Sequence, residues 1–284
     1  AFLRDARFAD AHVPDLVLRI GDTPTGKPIR RWLEAGPGTR LVILDPDGVF
    51  HDPSHRADEI LAFEPAPLCE ALADELESLG RRELSAFGCA IVGADRACAR
   101  ALDAALAAEP RLLPPAVVRE IAAALPDGAT LFLSNSMAVR DADTFWPLGG
   151  RALRVLCNRG ANGIDGIVST ALGACAAGDA PTLLLTGDLA FLHDVGGLFA
   201  ARHVRASCTV VVLHDDGGGI FSFLPIADHG ERVRFRELFT LPHGLSLGPA
   251  AALYGLDHRL ASSVAELRGA LAASLAAPGV HVVE

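Results

Sequence analysis

Two aspartates in the second half of the chain have the chemistry of a metal site. Asp188 follows the apolar run Thr182–Leu185, and Asp215 comes 27 positions later, behind the apolar run Cys208–Leu213. Mg²⁺ prefers one or two carboxylates together with phosphate oxygens. The glycines that start at Gly217 let the backbone approach a ligand closely, and a carbonyl there could complete the metal shell. These residues predict a site for a metal-bound diphosphate.

Two arginines indicate an anionic organic substrate. Arg140 and Arg159 each lie a few residues after another apolar run. The planar guanidinium binds a carboxylate through two parallel hydrogen bonds, so a pair of arginines at one site fits a substrate that carries carboxylates. A surface ion pair between Arg140 and Asp141 or Asp143 is the competing interpretation, because most charged side chains stay solvated.

Each metal candidate also has a purely structural alternative. Asp188 could only cap a helix, and Asp215-Asp216-Gly217 could be an ordinary turn. The binding interpretation is favoured because four predicted strands in succession run into polar clusters, three of which contain glycine. A single such motif would carry a considerable risk of a false match.

The elements that must position these residues alternate from about residue 110 onward. Apolar runs predict the strands Thr130–Leu133, Ala152–Leu156, Thr182–Leu185, Cys208–Leu213 and Val280–Val283. Helical patterns predict the helices Pro115–Ala124, Ile164–Ala177, Phe191–Arg202 and Val264–Leu275. This alternation predicts an α/β fold with doubly wound parallel sheets. Ligands of such sheets bind beyond the carboxyl ends of the strands, so we expect the polar clusters to share one edge.

The first 109 residues predict a smaller α/β region. Its strands are expected at Leu16–Ile20, Leu41–Leu44 and Cys89–Val92, and its helices at Ile29–Glu34, Leu68–Leu79 and Ala94–Ala108. Lys27 lies between two prolines and is expected in a loop, and Asp45–Phe63 reads as an irregular connection. We therefore divide the chain into 1–109 and 110–284.

Composition excludes several classes of function. The chain has 284 residues, of which half are hydrophobic, and a formal net charge of -10, which is unfavourable for binding nucleic acid. None of its six cysteines has the CxxC spacing, so we expect no disulfide framework and a cytoplasmic location. We expect no membrane span, because no apolar stretch is long enough.

The polar clusters resemble one family of thiamine-diphosphate enzymes, the 2-succinyl-5-enolpyruvyl-6-hydroxy-3-cyclohexene-1-carboxylate synthases of menaquinone biosynthesis. The segments that carry the resemblance are Asn135–Asp141, Asn158–Gly166, Gly187–Asp194 and Gly217–Phe221, while Asp15–Trp32 resembles the family's central domain. The resemblance covers nearly the whole chain as the C-terminal part of such an enzyme. It implies a thiamine-diphosphate-binding fold, with 1–109 as part of the central, transhydrogenase III-like domain and 110–284 as the diphosphate-binding domain.

The resemblance also implies roles for metal and cofactor residues. Asp188, Asp215 and the carbonyl of Gly217 would bind Mg²⁺ or Mn²⁺. Ile164 would be the apolar wedge that bends thiamine diphosphate into its reactive shape, and is expected to be catalytic. The other residues expected to contact the cofactor are Asn158, Gly160, Gly187, Leu189, Ala190, Gly218, Ile220 and Phe221.

For the substrates, the resemblance implies a transferase that decarboxylates 2-oxoglutarate and adds the resulting succinyl carbanion equivalent to isochorismate. Ser136, Arg140 and Arg159 would bind the substrate carboxylates, with help from Lys27, and both arginines are expected to be catalytic. The cofactor carries the carbanion chemistry, and the protein supplies orientation and electrostatics.

Some positions depart from the family pattern. Asp215 and His214 stand where many relatives have asparagine, Pro28 stands where some carry a second substrate-binding cation, and Ala138 replaces a frequent proline. The family's active site lies between two subunits, so a homodimer or dimer of dimers is expected. Its catalytic glutamate belongs to an N-terminal pyrimidine-binding domain, so we expect this chain to be inactive alone.

The sequence is also compatible with three other interpretations. Another thiamine-diphosphate carboligase or decarboxylase, such as an acetolactate-synthase-like enzyme, should lack the pair Arg140 and Arg159. A non-catalytic nucleotide- or flavin-binding domain would not need the carboxylates of Asp188 and Asp215. A truncated, inert gene product with a competent fold is the third.

Overall fold

A computed structural model describes residues 2–36, 38–80, 83–149 and 151–284. The chain forms two compact units, residues 1–105 and residues 106–284. The first unit contains a three-stranded, all-parallel sheet in the order β1 (Leu16–Ile20), β2 (Arg40–Leu44) and β3 (Glu59–Leu61). Its helices are α1 (Ala6–Ala11), α2 (Lys27–Ala35), α3 (Pro65–Ser78) and α4 (Ala86–Ala108), the last of which crosses the division between the units.

Three expectations for the first unit are wrong. Cys89–Val92 is not a strand but lies inside α4, because a four-residue apolar run fits a helix as well as a strand and its neighbours are strong helix formers. Lys27 is not in a loop but is the first residue of α2, where Pro28 is well tolerated. The segment Asp45–Phe63, expected to be irregular, contains β3.

The second unit is built on a six-stranded, all-parallel sheet with the order β5-β4-β6-β7-β9-β8. The strands are β4 (Thr130–Leu133), β5 (Arg154–Cys157), β6 (Thr182–Gly187), β7 (Ser207–Leu213), β8 (Asp257–Arg259) and β9 (Gly279–Val283). The helices are α5 (Pro114–Ala124), α6 (Met137–Phe145), α7 (Ile167–Ala176), α8 (Asp188–His193), α9 (Gly248–Leu253) and α10 (Val264–Ala276).

Both faces of this sheet are covered by apolar layers. Successive strand residues point to opposite faces, so Leu131 and Leu183 pack with α5, α6 and α10, whereas Phe132 and Leu184 pack with α7, α8 and α9. Near-continuous apolar strands are typical of a parallel sheet that is buried on both sides. The prediction of a doubly wound α/β fold with parallel sheets is confirmed.

The strand order puts a topological switch point between β4 and β6, and the space beyond the carboxyl ends of these two strands is here called the crevice. After β4 the chain places β5 on one side of it and β6 on the other, so the connections diverge between β4 and β6. Such a switch point leaves room beyond the carboxyl ends of the two strands, where open α/β sheets bind their ligands. β4 runs into Asn135 and Ser136 there, and β6 runs into Asp188.

Some boundaries in the second unit differ from expectation. Helix α7 begins at Ile167 rather than Ile164, because Gly166 takes a left-handed conformation (φ 64°) that ends the preceding loop. The helix expected at Phe191–Arg202 is two elements, α8 and the 3₁₀ segment Val195–His203, separated at Asp194. Strand β8 and helices α6 and α9 were not foreseen. In the described part of the chain, no helix combines the length and apolarity needed to cross a bilayer.

Candidate functional site

Asp188 directly follows β6 at the crevice and is the first residue of α8. Its side chain is almost fully buried and its carboxylate accepts three N–H groups. The amide of Leu189 donates to Oδ1 at 2.5 Å. Oδ2 accepts from the amide of Gly217 at 3.0 Å and from Nε2 of His243 at 3.2 Å. These contacts fix the direction of the carboxylate and account for its burial without an ion pair to lysine or arginine among the described residues.

Asp215 is brought to the same edge by the register of β6 and β7. Gly187 pairs with Leu213, so both strands end at the same level. Asp215 is exposed to solvent. Desolvation by its neighbours, followed by the negative charge of Asp188, nevertheless raises the pKa of its carboxyl. The two predicted metal ligands therefore lie near enough to repel each other, and a cation between them would relieve that repulsion.

A third carboxylate, Asp141 on α6, adds to this negative charge. It is buried, and among the described residues its Oδ2 has no hydrogen-bond partner. Burial, followed by the charge of Asp215, raises its pKa to about 6. A buried carboxylate oxygen without a partner, close to the charge of Asp215, adds to the negative charge that a hard divalent cation near this edge would offset. From the sequence, Asp141 is expected only as an ion-pair partner of Arg140.

Gly217 contributes a backbone contact in addition to the expected one. Its amide donates to Oδ2 of Asp188, and the metal role of its carbonyl stays a prediction. Its φ of 140° and its packing both require glycine, since a Cβ there would lie 2.0 Å from the carbonyl oxygen of Thr240. The glycine run thus lets the backbone after β7 pack against the segment around Thr240, where the amide of Gly218 also donates to the Thr240 carbonyl.

Two histidines that were not predicted as site residues complete the cluster. Ligand atoms of Asp188, His214 and His243 all lie within 4.8 Å of one another. The two imidazole rings stack with their centroids 5.3 Å apart. His214 follows β7 directly, so the predicted strand ends could have placed it beside Asp188. His243 comes from a distant loop, and no sequence pattern indicates its position.

Arg140 and Arg159 lie close to each other near the end of β4. Nη1 of Arg140 donates to the carbonyl of Ser136 at 2.6 Å, and Nη1 of Arg159 donates to Oδ1 of Asn135 at 2.8 Å. Burial, followed by the charge of Arg159, lowers the pKa of Arg140. Two guanidinium groups that repel each other favour an anion between them. The alternative of an ion pair with Asp141 is not supported, because the guanidinium of Arg140 donates to the Ser136 carbonyl and, among the described residues, Oδ2 of Asp141 has no partner.

Ser136 forms the sharp turn from β4 into α6. Its backbone has φ 65° and ψ -128°, a combination that only glycine adopts readily. Such strain costs on the order of 1–3 kcal/mol and is concentrated at functional sites. The turn aims the carbonyl of Ser136 at the guanidinium of Arg140, so this predicted substrate-binding residue also helps to position another.

Asn135 is a positioning residue that the sequence did not single out from its cluster. It is buried, and its Nδ2 donates to the carbonyls of Asn158 at 2.9 Å and Gly163 at 2.6 Å. Its Oδ1 accepts from Arg159. One amide side chain therefore ties the end of β4 to the loop between β5 and α7 and orients an arginine at the crevice.

The other predicted cofactor residues lie around the same edge. Asn158 and Ile164 are half-buried in the loop after β5. Asn158 lines a hollow of about 430 Å³ together with Phe132 and Leu156. The remaining ones occupy the β6–α8 junction, the β5–α7 loop and the segment after β7, namely Gly160, Gly187, Leu189, Ala190, Gly218, Ile220 and Phe221. Lys27 belongs to the first unit and is exposed at the start of α2.

Comparison with known proteins points to one family. No protein-family profile matches the chain. Curated proteins named 2-succinyl-5-enolpyruvyl-6-hydroxy-3-cyclohexene-1-carboxylate synthase match all of it. The protein from Myxococcus xanthus is 48% identical over 286 residues, that from Geobacillus kaustophilus 42% over 284 and that from Chloroflexus aurantiacus 40% over 284. The match covers 47%, 48% and 48% of these proteins, so the chain spans about half the length of the curated relatives that it matches. Over its whole length the chain is therefore homologous to members of the 2-succinyl-5-enolpyruvyl-6-hydroxy-3-cyclohexene-1-carboxylate synthase family.

Proposed function

We propose that this chain is the cofactor- and metal-holding part of a thiamine-diphosphate-dependent synthase of that family. The observation that carries the proposal is the convergence of Asp188 and Asp215 with the pair Arg140 and Arg159 at the switch point of the second sheet. Carboxylates beside a diphosphate would hold Mg²⁺ or Mn²⁺, and neighbouring arginines would bind organic carboxylates. The same assignment is supported by relatives that have this synthase name and match the whole chain.

The proposed reaction is the decarboxylation of 2-oxoglutarate and the addition of its remaining four-carbon unit to isochorismate, a transferase step of menaquinone biosynthesis. Thiamine diphosphate, when bound, supplies the carbanion chemistry. Arg140 and Arg159 would orient the substrate carboxylates, supported by Ser136 and Lys27. Asp188 and Asp215 would hold the cation beside the diphosphate, and Ile164 would support the bent cofactor.

The two regions of the chain would divide this work. Residues 110–284 would be the diphosphate-binding domain and residues 1–109 part of the central domain. A pyrimidine-binding domain with the catalytic glutamate would come from the N-terminal half, in a cytoplasmic homodimer or dimer of dimers. The supporting fact is the length of the relatives, which is about twice that of the matched segment.

Reconstitution of turnover tests this function. The chain alone should form little or no product from 2-oxoglutarate and isochorismate, because the activating glutamate would be missing. Addition of a separately expressed N-terminal half should restore product formation in the presence of thiamine diphosphate and Mg²⁺. Product would be followed by mass spectrometry.

A matched pair of variants makes the reconstitution specific. Arg159→Ala should reduce kcat/KM by about 100-fold or more, as expected for the loss of a charged contact worth roughly 3 kcal/mol. Arg205→Ala, which removes an exposed arginine just before β7, should leave it unchanged. Strong activity from the chain alone, or equal effects of the two substitutions, would contradict the proposal.

A further inference from the structure

His214 is held by a carboxylate on the side that faces away from Asp188. Its Nδ1 lies 2.7 Å from Oε1 of Glu284, and Nε2 of His258 lies 2.7 Å from Oε2 of the same carboxylate. Glu284 is therefore an acceptor that keeps a proton on Nδ1 of His214 and leaves the lone pair on Nε2.

That lone pair is directed at the predicted metal carboxylate. Nε2 of His214 lies 3.8 Å from Oδ2 of Asp188, which is too long for a hydrogen bond. A metal ion lies about 2.0–2.2 Å from an imidazole nitrogen and from a carboxylate oxygen, so one ion can bridge two such atoms at this separation. A histidine that binds metal typically donates its other N–H to a carboxylate, which is the arrangement of His214 and Glu284.

His243 is oriented in the opposite sense, although it also lies against Asp188. The amide of Leu245 donates to its Nδ1 at 3.0 Å, so Nδ1 is an acceptor and the proton of the neutral ring is on Nε2. Nε2 is 3.2 Å from Oδ2 of Asp188 and donates to it. His243 is thus a hydrogen-bond donor that orients the carboxylate, whereas His214 offers it a lone pair.

We propose that His214, supported by Glu284, is a nitrogen ligand that shares the divalent cation with Asp188. The inference rests on the proposed metal site and changes its chemistry, because an imidazole favours borderline transition metals over Mg²⁺. The chain should therefore bind Mn²⁺, Co²⁺ or Zn²⁺ more tightly relative to Mg²⁺ than a site of oxygen ligands does. Asparagine at the same position would offer the metal only a side-chain oxygen, a ligand atom that suits Mg²⁺.

Pulsed electron paramagnetic resonance of Mn²⁺ tests this ligand directly. Mn²⁺ is added below one equivalent to the 284-residue chain, and nitrogen modulation from a coordinated imidazole is recorded. The natural chain and His243→Asn should both show it, and His214→Asn should lack it. Absence of nitrogen modulation from the natural chain, absence of Mn²⁺ binding, or loss of the modulation in His243→Asn alone would each overturn the inference.

Metal titrations provide a second readout. His214→Asn should lower the ratio of Co²⁺ to Mg²⁺ affinity at least tenfold, and Glu284→Gln should weaken Co²⁺ binding by about 10- to 100-fold, the usual effect of removing such a supporting carboxylate. An unchanged ratio in a folded His214→Asn variant would contradict the inference. If that variant does not fold, the spectra of the natural chain and of His243→Asn decide the question.

The same samples separate this inference from the proposed function. Thiamine diphosphate binding is measured on them by calorimetry. Cofactor binding without nitrogen modulation would leave the proposed function intact and reject the histidine ligand. Nitrogen modulation without cofactor binding would support the histidine ligand and reject the proposed function.

Discussion

At the scale of residues, the site is defined by desolvated charged groups that lie near like charges. The carboxyls of Asp141 and Asp215 both have raised pKa values, and the guanidinium of Arg140 has a lowered one. Burial is the largest cause of each shift, and a nearby like charge is the second. Like charges held close together at one sheet edge are suited to bind a cation and an anion.

The raised pKa of Asp141 gives a prediction about pH. Its pKa is about 6 in the folded chain against a reference value of 3.8, so the folded state binds this proton more tightly than the unfolded state. Stability is therefore lost as the pH rises from about 4 through about 6. Asp141→Asn should raise the free energy of unfolding by about 1–2 kcal/mol at pH 8, after allowance for solvent screening, and by much less at pH 4.5.

Urea unfolding of the metal-free chain at the two pH values measures this difference. Asp179→Asn, at an exposed position before β6, is the control. An equal gain at both pH values, or a gain only at pH 4.5, would show that burial of the charged Asp141 carboxylate is not the cause.

Residue types at the site were predictable to different degrees. Asp188, Asp215, Arg140 and Arg159 follow predicted strands, and the common edge of a parallel sheet brings such positions together. His243 was not predictable, because it reaches Asp188 from a loop 55 residues later.

At the scale of elements, the strands were easier to predict than the segments between them. Strands β1 and β4 have the predicted bounds, because buried parallel strands are apolar runs that end at polar residues. Where an apolar run was only four residues long, as at Cys89–Val92, length and pattern could not distinguish strand from helix. The segment from Gly219 to Thr240 was not predictable, since its 3₁₀ and π turns have no simple periodicity.

The connection between β4 and the β5–α7 loop gives a prediction at this scale. Asn135→Ala removes two hydrogen bonds to the carbonyls of Asn158 and Gly163 and one acceptor of Arg159. Buried groups left without a partner cost about 1–3 kcal/mol each. Amide exchange in the loop 158–166 should therefore become roughly 10- to 100-fold faster, as followed by mass spectrometry, while exchange in β9 stays unchanged. Equal acceleration in both segments would indicate general destabilisation instead.

At the scale of the whole molecule, every proposed metal and diphosphate ligand belongs to the second unit. Residues 106–284 include Asp188, Asp215 and the loops after β4 and β5. Lys27, which is proposed to bind substrate rather than metal or diphosphate, belongs to the first unit. The two units should therefore respond differently to the cofactor. The relatives that the chain matches are about twice as long as the matched segment.

Hydrogen exchange with and without cofactor tests this division. Thiamine diphosphate with Mg²⁺, at about 100 times its Kd, should add up to roughly 2.7 kcal/mol of protection in the second unit. The increase should be largest in 135–141, 158–166, 187–190 and 214–221. Protection that rises mainly in residues 1–105 would contradict the proposal that the second unit binds the diphosphate.

The most direct test of the account is calorimetric titration of the chain with thiamine diphosphate, with and without Mg²⁺. Asp188→Ala is compared with Asp179→Ala, which removes an exposed carboxylate at the opposite end of β6. The account predicts binding that requires Mg²⁺, is lost in Asp188→Ala and is retained in Asp179→Ala. Binding that is independent of Mg²⁺, or equally strong in both variants, would contradict the claim that the carboxylates at the switch point hold a metal-bound diphosphate.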